Sequence, residues 1–292
     1  MENFSYSKLE VFNKCPYKYK LIYIDHHYIK CDSIATDFGK LIHHIEEKIG
    51  LNLKNNNLID YEELKKEFIL KLKDIENKYK EEFYLPDKTG KNYKDKAEIY
   101  LNSSIYRLEK RVKEENLEVV ACEKNFVLEY KNVIFKGAID RILKKKGEDL
   151  YIIEDIKTYT ETIKETSLIN PLQFVIYSIA FSSISKNIEC NYDLPICECI
   201  QKASIKYNNI NDILKEIEES DFHPSPTPLC HWCIFSDTFP NQPKEAKGLC
   251  PYYSQWTRKS KNNTPYRKWE GIENNKRIIE EFRKEKCKEG LI

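Results

Sequence analysis

Residues 135–159, FKGAIDRILKKKGEDLYIIEDIKTY, most constrain what this chain can become. Two apolar, β-branched runs, 135–143 and 150–156, flank a charged turn over 144–149, which is the pattern of a β-hairpin. If the strands pair antiparallel about Gly147 and Glu148, positions whose numbers sum to about 295 face each other. Asp140 and Asp155 then become cross-strand neighbours, with Cβ atoms roughly 5 Å apart. Lys157 follows two residues later and shares the face of Asp155, whereas Glu154 points the other way. Ionised carboxylates side by side repel, and burial makes this worse. A divalent cation between them resolves the conflict. A solvated hairpin face carrying an Asp–Lys ion pair is the other reading the hairpin leaves open.

The chain has 292 residues, enough for one large domain or two small ones. Its net charge of +1 announces no nucleic-acid partner, so any basic surface is local. No apolar run is long enough to span a bilayer. The opening MENFSYSKLEVF lacks the pattern of a signal peptide, so a cytoplasmic protein is expected, with no membrane partner. Ten cysteines in such a compartment are metal ligands or buried thiols rather than a disulfide framework.

Taken in order, Ser7 and Glu10 predict a capping box opening a helix that runs to about residue 23. Cys15-Pro16 interrupts it, because Pro16 has no N–H to donate. Cys15 is then either a ligand presented at the break or a buried thiol in a kinked helix. A second helix is expected over 36–49, with Phe38, Leu41, Ile42, Ile45 and Ile49 inward and Gly39 allowing close approach. His43 and Glu47 share one side of it. A polar linker over 51–60 and two long charged helices over 61–83 and 93–116 follow. Strands over 118–130, 133–143 and 150–158 form a meander, with Glu123 in the first. A helix over 171–184 places Gln173 and Tyr177 one turn apart. A strand region over 192–207, with Cys197 and Cys199 on one face, and a short helix over 211–220 complete the core.

Three prolines between 222 and 228 mark an extended linker. Beyond it Cys230 and Cys233 form a C-x-x-C pair, with Cys250 further on. That spacing lets two thiolates hold one metal centre. Three cysteines are one short of the usual four ligands; Cys15 is the natural fourth and His231 a substitute. From residue 255 the tail is basic, with Trp256, Tyr266 and Trp269 interleaved. This suits phosphate contact and base stacking, or a solvated terminal helix with ordinary packing.

These motifs together resemble the RecB-type branch of the PD-(D/E)XK nuclease superfamily. More narrowly, they are similar to its iron–sulfur members, such as the AddB nuclease domain and CRISPR-associated adaptation nucleases. SYSKLEVFNKCPYKY resembles the N-terminal helix with its cluster cysteine, Cys15. FGKLIHH matches G-x-x-x-H at His43, and GAID matches G-x-x-D at Asp140. EDIKT matches D-x-K at Asp155 and Lys157, and QFVIY matches Q-x-x-x-Y at Gln173 and Tyr177. Cys230, Cys233 and Cys250 match the C-terminal cluster group, although Cys250 lies further from Cys233 than in the compact version of that motif.

The resemblance implies an α/β fold of α+β type, a restriction-endonuclease-like core with a mixed central sheet and flanking helices. It implies a nuclease core over 1–220 with a helical insertion at about 51–116, and a cysteine-containing region with a basic tail over 221–292, joined to the core through Cys15. The implied activity is a Mg²⁺- or Mn²⁺-dependent deoxyribonuclease, an exonuclease acting on single-stranded DNA ends. His43, Asp140, Asp155 and the Ile156 carbonyl would hold the cation, with Asp140, Asp155, Lys157, Gln173 and Tyr177 catalytic. Glu123 would assist behind them or at a second cation. Cys15, Cys230, Cys233 and Cys250 would hold a [4Fe–4S] cluster, with zinc the alternative. A helicase, recombination or CRISPR partner is implied. A non-catalytic DNA-binding module with a structural metal centre is the rival from another class.

Overall fold

The computed structural model describes residues 2–29, 32–130, 133–205 and 210–222, with shorter pieces at 224–225, 230, 233–235, 239, 242–247 and 249–250. Strands β1 (Glu2–Phe4), β2 (Leu117–Tyr130), β3 (Val133–Lys145), β4 (Tyr151–Ile156), β5 (Ile188–Leu194) and β6 (Cys199–Ala203) form one mixed sheet. The helices are α1 (Tyr6–Lys14), α2 (Pro16–Tyr19), α3 (Ile34–Lys54), α4 (Tyr61–Tyr79), α5 (Glu81–Tyr84), α6 (Tyr93–Asn102), α7 (Arg107–Glu114), α8 (Leu172–Phe181) and α9 (Ile210–Glu218). The chain divides into two compact units: Met1–Phe4 with Asp32–Ile210, and Ser5–Cys31 with Asn211–Ile292. No helix among the described residues is long and apolar enough to cross a membrane.

The first unit holds the sheet. β3 is its hub: β2 pairs antiparallel along one edge, while β1 (parallel) and β4 (antiparallel) share the other. Arg141 faces Glu154 and Ile142 faces Ile153, the register expected of the hairpin. β4 then pairs parallel with β5, reached through α8, and β5 pairs antiparallel with β6. The expected strand over 192–207 is two strands, because Pro195 ends the first; Cys197 and Glu198 lie in the turn.

Helices cover both faces, so β4 is almost wholly buried and its apolar residues do not alternate with solvated ones. On one face α3 and α4 bring Phe38, Ile42, Ile45, Ile49 and Phe68 against Leu143, Ile152 and Ile156. On the other α8 packs Phe174, Tyr177 and Phe181 against Ile139, Ile142 and Ile153. α3 runs longer than its apolar stripe suggests, from the Ser33 cap to Lys54, so the expected linker is shorter. The two charged helices each break, the first at Lys80 (φ 49°) and the second at Ser103. Their apolar sides are buried in the core rather than solvated.

In the second unit the helix start differs from expectation. Ser5, not Ser7, caps α1 by accepting a hydrogen bond from the Lys8 N–H at 3.2 Å, and Glu10 pairs with Lys14 instead of closing a capping box. Cys15 sits at the break, where its sulfur caps α2 by accepting from the Lys18 N–H at 3.4 Å. Pro16 occupies the first position of α2, where a missing N–H costs nothing.

Candidate active site

The site forms where β3 and β4 part. Their ladder ends at Arg141–Glu154, and one residue further the strands splay. The Asp140 carboxylate fills the gap and accepts the Ile156 N–H at 2.7 Å, replacing a lost ladder bond. On the other side of β3, Cys122 faces Arg141 and Lys124 faces Ile139, which sets Glu123 level with Asp140. Glu123, Asp140 and Asp155 thus stand abreast on three adjacent strands. Helix α3 contributes His43, whose Nε2 lies 3.0 Å from the Ile156 carbonyl and whose Nδ1 lies 3.7 Å from both Glu123 and Asp140.

Asp155 is enclosed, 1% exposed. Its Oδ1 accepts from Gln173 Nε2 at 2.5 Å and its Oδ2 pairs with Lys157 Nζ at 2.6 Å. Gln173 also donates to the Tyr177 hydroxyl at 2.9 Å, which donates to the Ala138 carbonyl at 2.8 Å. One turn of α8 therefore fixes Asp155 and ties it to β3, as the i, i+4 spacing of Gln173 and Tyr177 suggests.

Gly137 explains its own place in this chain of contacts. It opposes Phe126 across β2 and β3, and a Cβ there would meet the Phe126 ring at 2.8 Å. Phe126 in turn packs edge-on against Tyr177, with ring centroids 5.7 Å apart. Gly137→Ala is expected to displace Phe126 and Tyr177, costing about 1–3 kcal/mol by overpacking and lowering turnover more than cation affinity. Urea denaturation together with titration of Mn²⁺ checks this.

The electrostatics are those of a site lacking positive charge. Burial and the neighbouring Asp155 push the Asp140 carboxyl up to about 6. Burial likewise raises Asp155, against the pull of Lys157. For His43, burial favours the neutral ring, but Glu123, Asp140 and Asp155 outweigh it and raise its pKa. Burial works against the Lys157 ammonium, yet Asp155 and Asp140 hold its pKa above 10.5. Asp140 and His43 therefore bind protons more tightly folded than unfolded; the Asp140 contribution to stability falls as pH rises from about 4 to about 6, and the His43 contribution is lost as pH rises above the ordinary histidine value. A divalent cation would take the place of those protons. Saturating Mn²⁺ is expected to raise the Tm at pH 7.5 and to lose that effect below about pH 6. Thermal denaturation across this range tests the point; an equal effect at pH 5 would contradict it.

Carboxylates and an imidazole suit Mg²⁺ or Mn²⁺. Donor atoms of His43, Glu123 and Asp140 lie within 4.8 Å of one another, a spacing that one cation can bridge. A cleft of about 630 Å³ opens beside them, lined by Gly39, Lys40, His44 and Glu47 as well as His43 and Glu123. A Cβ at Gly39 would sit 3.7 Å from Thr158 Oγ1, an ordinary contact, so packing does not demand glycine there.

Glu154 turns to the opposite face, as strand alternation predicts. There it meets a buried cluster that the sequence reading missed. Arg141, 1% exposed, forks between Glu46 at 2.9 Å, Glu154 at 2.8 Å and Asp193. Arg111 adds a 2.7 Å bond to Glu154, and Arg107 lies 3.0 Å from Asp193. The consecutive pairs Asp140-Arg141 and Glu154-Asp155 were the available signal, since each puts one charge on each face.

In the second unit, the Cys233 N–H donates to the Cys230 carbonyl at 2.9 Å, the turn a C-x-x-C pair needs. Cys233 and Cys250 border one apolar cluster built on Leu21, Ile234 and Phe235. Burial raises the Cys233 thiol pKa, and Cys15 is close enough to add to this. His231 and the tail aromatics Trp256, Tyr266 and Trp269 lie outside the described residues.

A model of the PD-(D/E)XK nuclease superfamily matches residues 3–238. The chain belongs to this superfamily. The mixed sheet flanked by helices is its restriction-endonuclease-like core. Among solved structures, one named "Putative exonuclease" from Eubacterium rectale shares 14% identity, with 74% of this chain and 77% of that one covered and a TM-score of 0.40. The structure of SSO0001 shares 15% identity over 83% and 88%, with a TM-score of 0.34. No curated protein matches the chain. As a member of this superfamily the chain is a nuclease.

Proposed function

We propose that this nuclease is a Mg²⁺- or Mn²⁺-dependent deoxyribonuclease of the RecB type, cutting single-stranded DNA from its ends. The observation that carries the reading is the convergence of His43, Glu123, Asp140, Asp155 and Lys157 at the parting of β3 and β4. When bound, a divalent cation lowers the pKa of a water ligand and neutralises charge on the scissile phosphate. Asp140 and His43 would hold that cation, with Asp155 beside them. Asp155 and Asp140 raise the Lys157 pKa. Lys157 would position the attacking water and stabilise the developing negative charge. Gln173 and Tyr177 keep Asp155 fixed while the charges shift. Preference for single-stranded ends rests on the RecB-type motifs. Degradation of end-labelled single strands, compared with the same strand circularised, tests it; equal cutting of the circle would make the enzyme an endonuclease.

Cys15, Cys230, Cys233 and Cys250 would hold a [4Fe–4S] cluster, with zinc the alternative. All four belong to the second unit, and Cys15 lies near Cys233. Metal analysis of protein purified without oxygen distinguishes the two: iron with visible absorption supports the cluster, and zinc alone replaces it.

A further inference from the structure

Beyond Lys157 the chain leaves the sheet at a fixed place. The Lys157 N–H still donates to the Asp193 carbonyl at 2.9 Å, so pairing with β5 runs one residue past β4. Residues 158–161 are then held by α3, by the turn at Cys197 and by the loop at Asp87. Thr158 Oγ1 lies against Gly39 of α3, 3.7 Å from where a Cβ would sit, and Gly39 lines the cleft. Cys197 Sγ donates to the Tyr159 carbonyl at 3.2 Å. Thr160 Oγ1 donates to Asp87 Oδ2 at 2.8 Å, and Lys88 pairs with Glu161. Asp87 is itself anchored, accepting the Thr89 N–H at 2.8 Å and lying 3.1 Å from Lys96 Nζ. This tied backbone presents one large side chain to solvent: Tyr159 is 51% exposed. Among the described residues no side-chain hydrogen bond or ring contact engages it. Its hydroxyl is nevertheless near enough to the Lys157 ammonium to add to the rise in that pKa. Single exposed aromatics are ordinary; this one stands on a pinned backbone two residues from Lys157.

We propose that Tyr159 is a base-stacking platform: the unpaired base next to the scissile phosphate of a single DNA strand lies on its ring, which sets that phosphate opposite Lys157. The proposal rests on the reading of this site as a single-strand deoxyribonuclease and gives the strand preference a residue. Every base has a π-face, and an unpaired one offers it at little cost. A base inside a duplex must first be unstacked and unpaired, which costs free energy before any contact with the ring forms. Stacking is tolerant of base identity, so cleavage is indifferent to sequence at that position. Because the backbone on either side of Tyr159 is already tied, little ordering of the ring remains to be done when the strand arrives.

The test is steady-state cleavage of end-labelled single-stranded DNA by the full-length wild type, Tyr159→Phe and Tyr159→Ala. The strands carry one abasic residue, stepped along the sequence from the end. Tyr159→Phe keeps the ring and is expected to stay within about twofold of wild type. Tyr159→Ala is expected to lower kcat/KM by roughly tenfold, the size of one lost stacked base, with no change in Tm. In wild type an abasic residue at one position should cause the same loss, and in Tyr159→Ala that loss should not be added a second time. A tyrosine that only supports the fold would not sense which nucleotide lacks its base. Full kcat/KM in Tyr159→Ala overturns the proposal. A loss in Tyr159→Phe as large as in Tyr159→Ala also overturns it, since the hydroxyl and not the ring would then meet the DNA. The abasic series on wild type stands without either variant, and the absence of any sensitive position overturns the proposal by itself. In each of these cases wild-type cleavage leaves the nuclease reading standing. A wild type that neither binds nor cleaves single-stranded DNA overturns both.

Discussion

Asp140→Asn is expected to lower cleavage by roughly 10³-fold or more while leaving the metal-free chain folded and harder to melt. Asp140 is the carboxylate common to every arrangement of the site. It faces Asp155 and Glu123 on either side, and His43 Nδ1 lies 3.7 Å away. A ligand role there would carry several kcal/mol of transition-state stabilisation, and each 1.36 kcal/mol is a factor of ten. Asparagine keeps an oxygen for the 2.7 Å bond from the Ile156 N–H, so the splay of β3 and β4 is preserved. It removes a buried charge that burial and Asp155 already disfavour, the cause of the pKa near 6. The stability gain should be absent near pH 4, where the wild-type carboxyl is itself protonated, and full above about pH 7. Cleavage kinetics and melting curves at both pH values check the two halves. Retained activity, or a variant less stable at pH 7.5, would contradict the assignment.

The second large effect lies on the opposite face. Arg141→Ala is expected to cost about 3–5 kcal/mol, because removing one partner strands buried charges. Arg141 is the shared partner of Glu46, Glu154 and Asp193, three carboxylates each at most 5% exposed. Arg107 and Arg111 reach only the outer two. Arg141→Lys should recover little, since one ammonium cannot reproduce the fork of a guanidinium. The loss should also blunt catalysis, as Glu46 is on the His43 helix, Arg141 follows Asp140 and Glu154 precedes Asp155. Urea denaturation measures the cost; a loss below about 1 kcal/mol would mean the cluster is incidental.

The hairpin was legible because strand alternation and a short charged turn leave few registers, and Arg141–Glu154 is the one observed. The pairing of Asp140 with Asp155 and Lys157 was carried by the hairpin's alternation, and the addition of His43, Gln173 and Tyr177 to it by family motifs. The depth of Glu123 in the site was less visible. It depends on the irregular pairing between Val119 and Ala121, which sets the register of β2 beyond it. A bulge leaves no clear mark in the sequence. The buried ion cluster was hidden for a different reason: Arg107 and Arg111 come from α7, Glu46 from α3 and Asp193 from β5, and each alone reads as a solvated charge. The start of α1 misled because Ser5 and Ser7 both suit a cap, and the helix begins at Tyr6, directly after Ser5.

The most direct test of the central claim is cleavage of end-labelled single-stranded DNA with Mg²⁺ or Mn²⁺ by wild type and by Lys157→Ala, both purified without oxygen. Wild-type cleavage that requires the cation and vanishes in Lys157→Ala, with Mn²⁺ binding retained, is the predicted result. Equal cleavage by both would place the chemistry elsewhere. No cleavage by metal-replete wild type would leave a DNA-binding module on a nuclease fold.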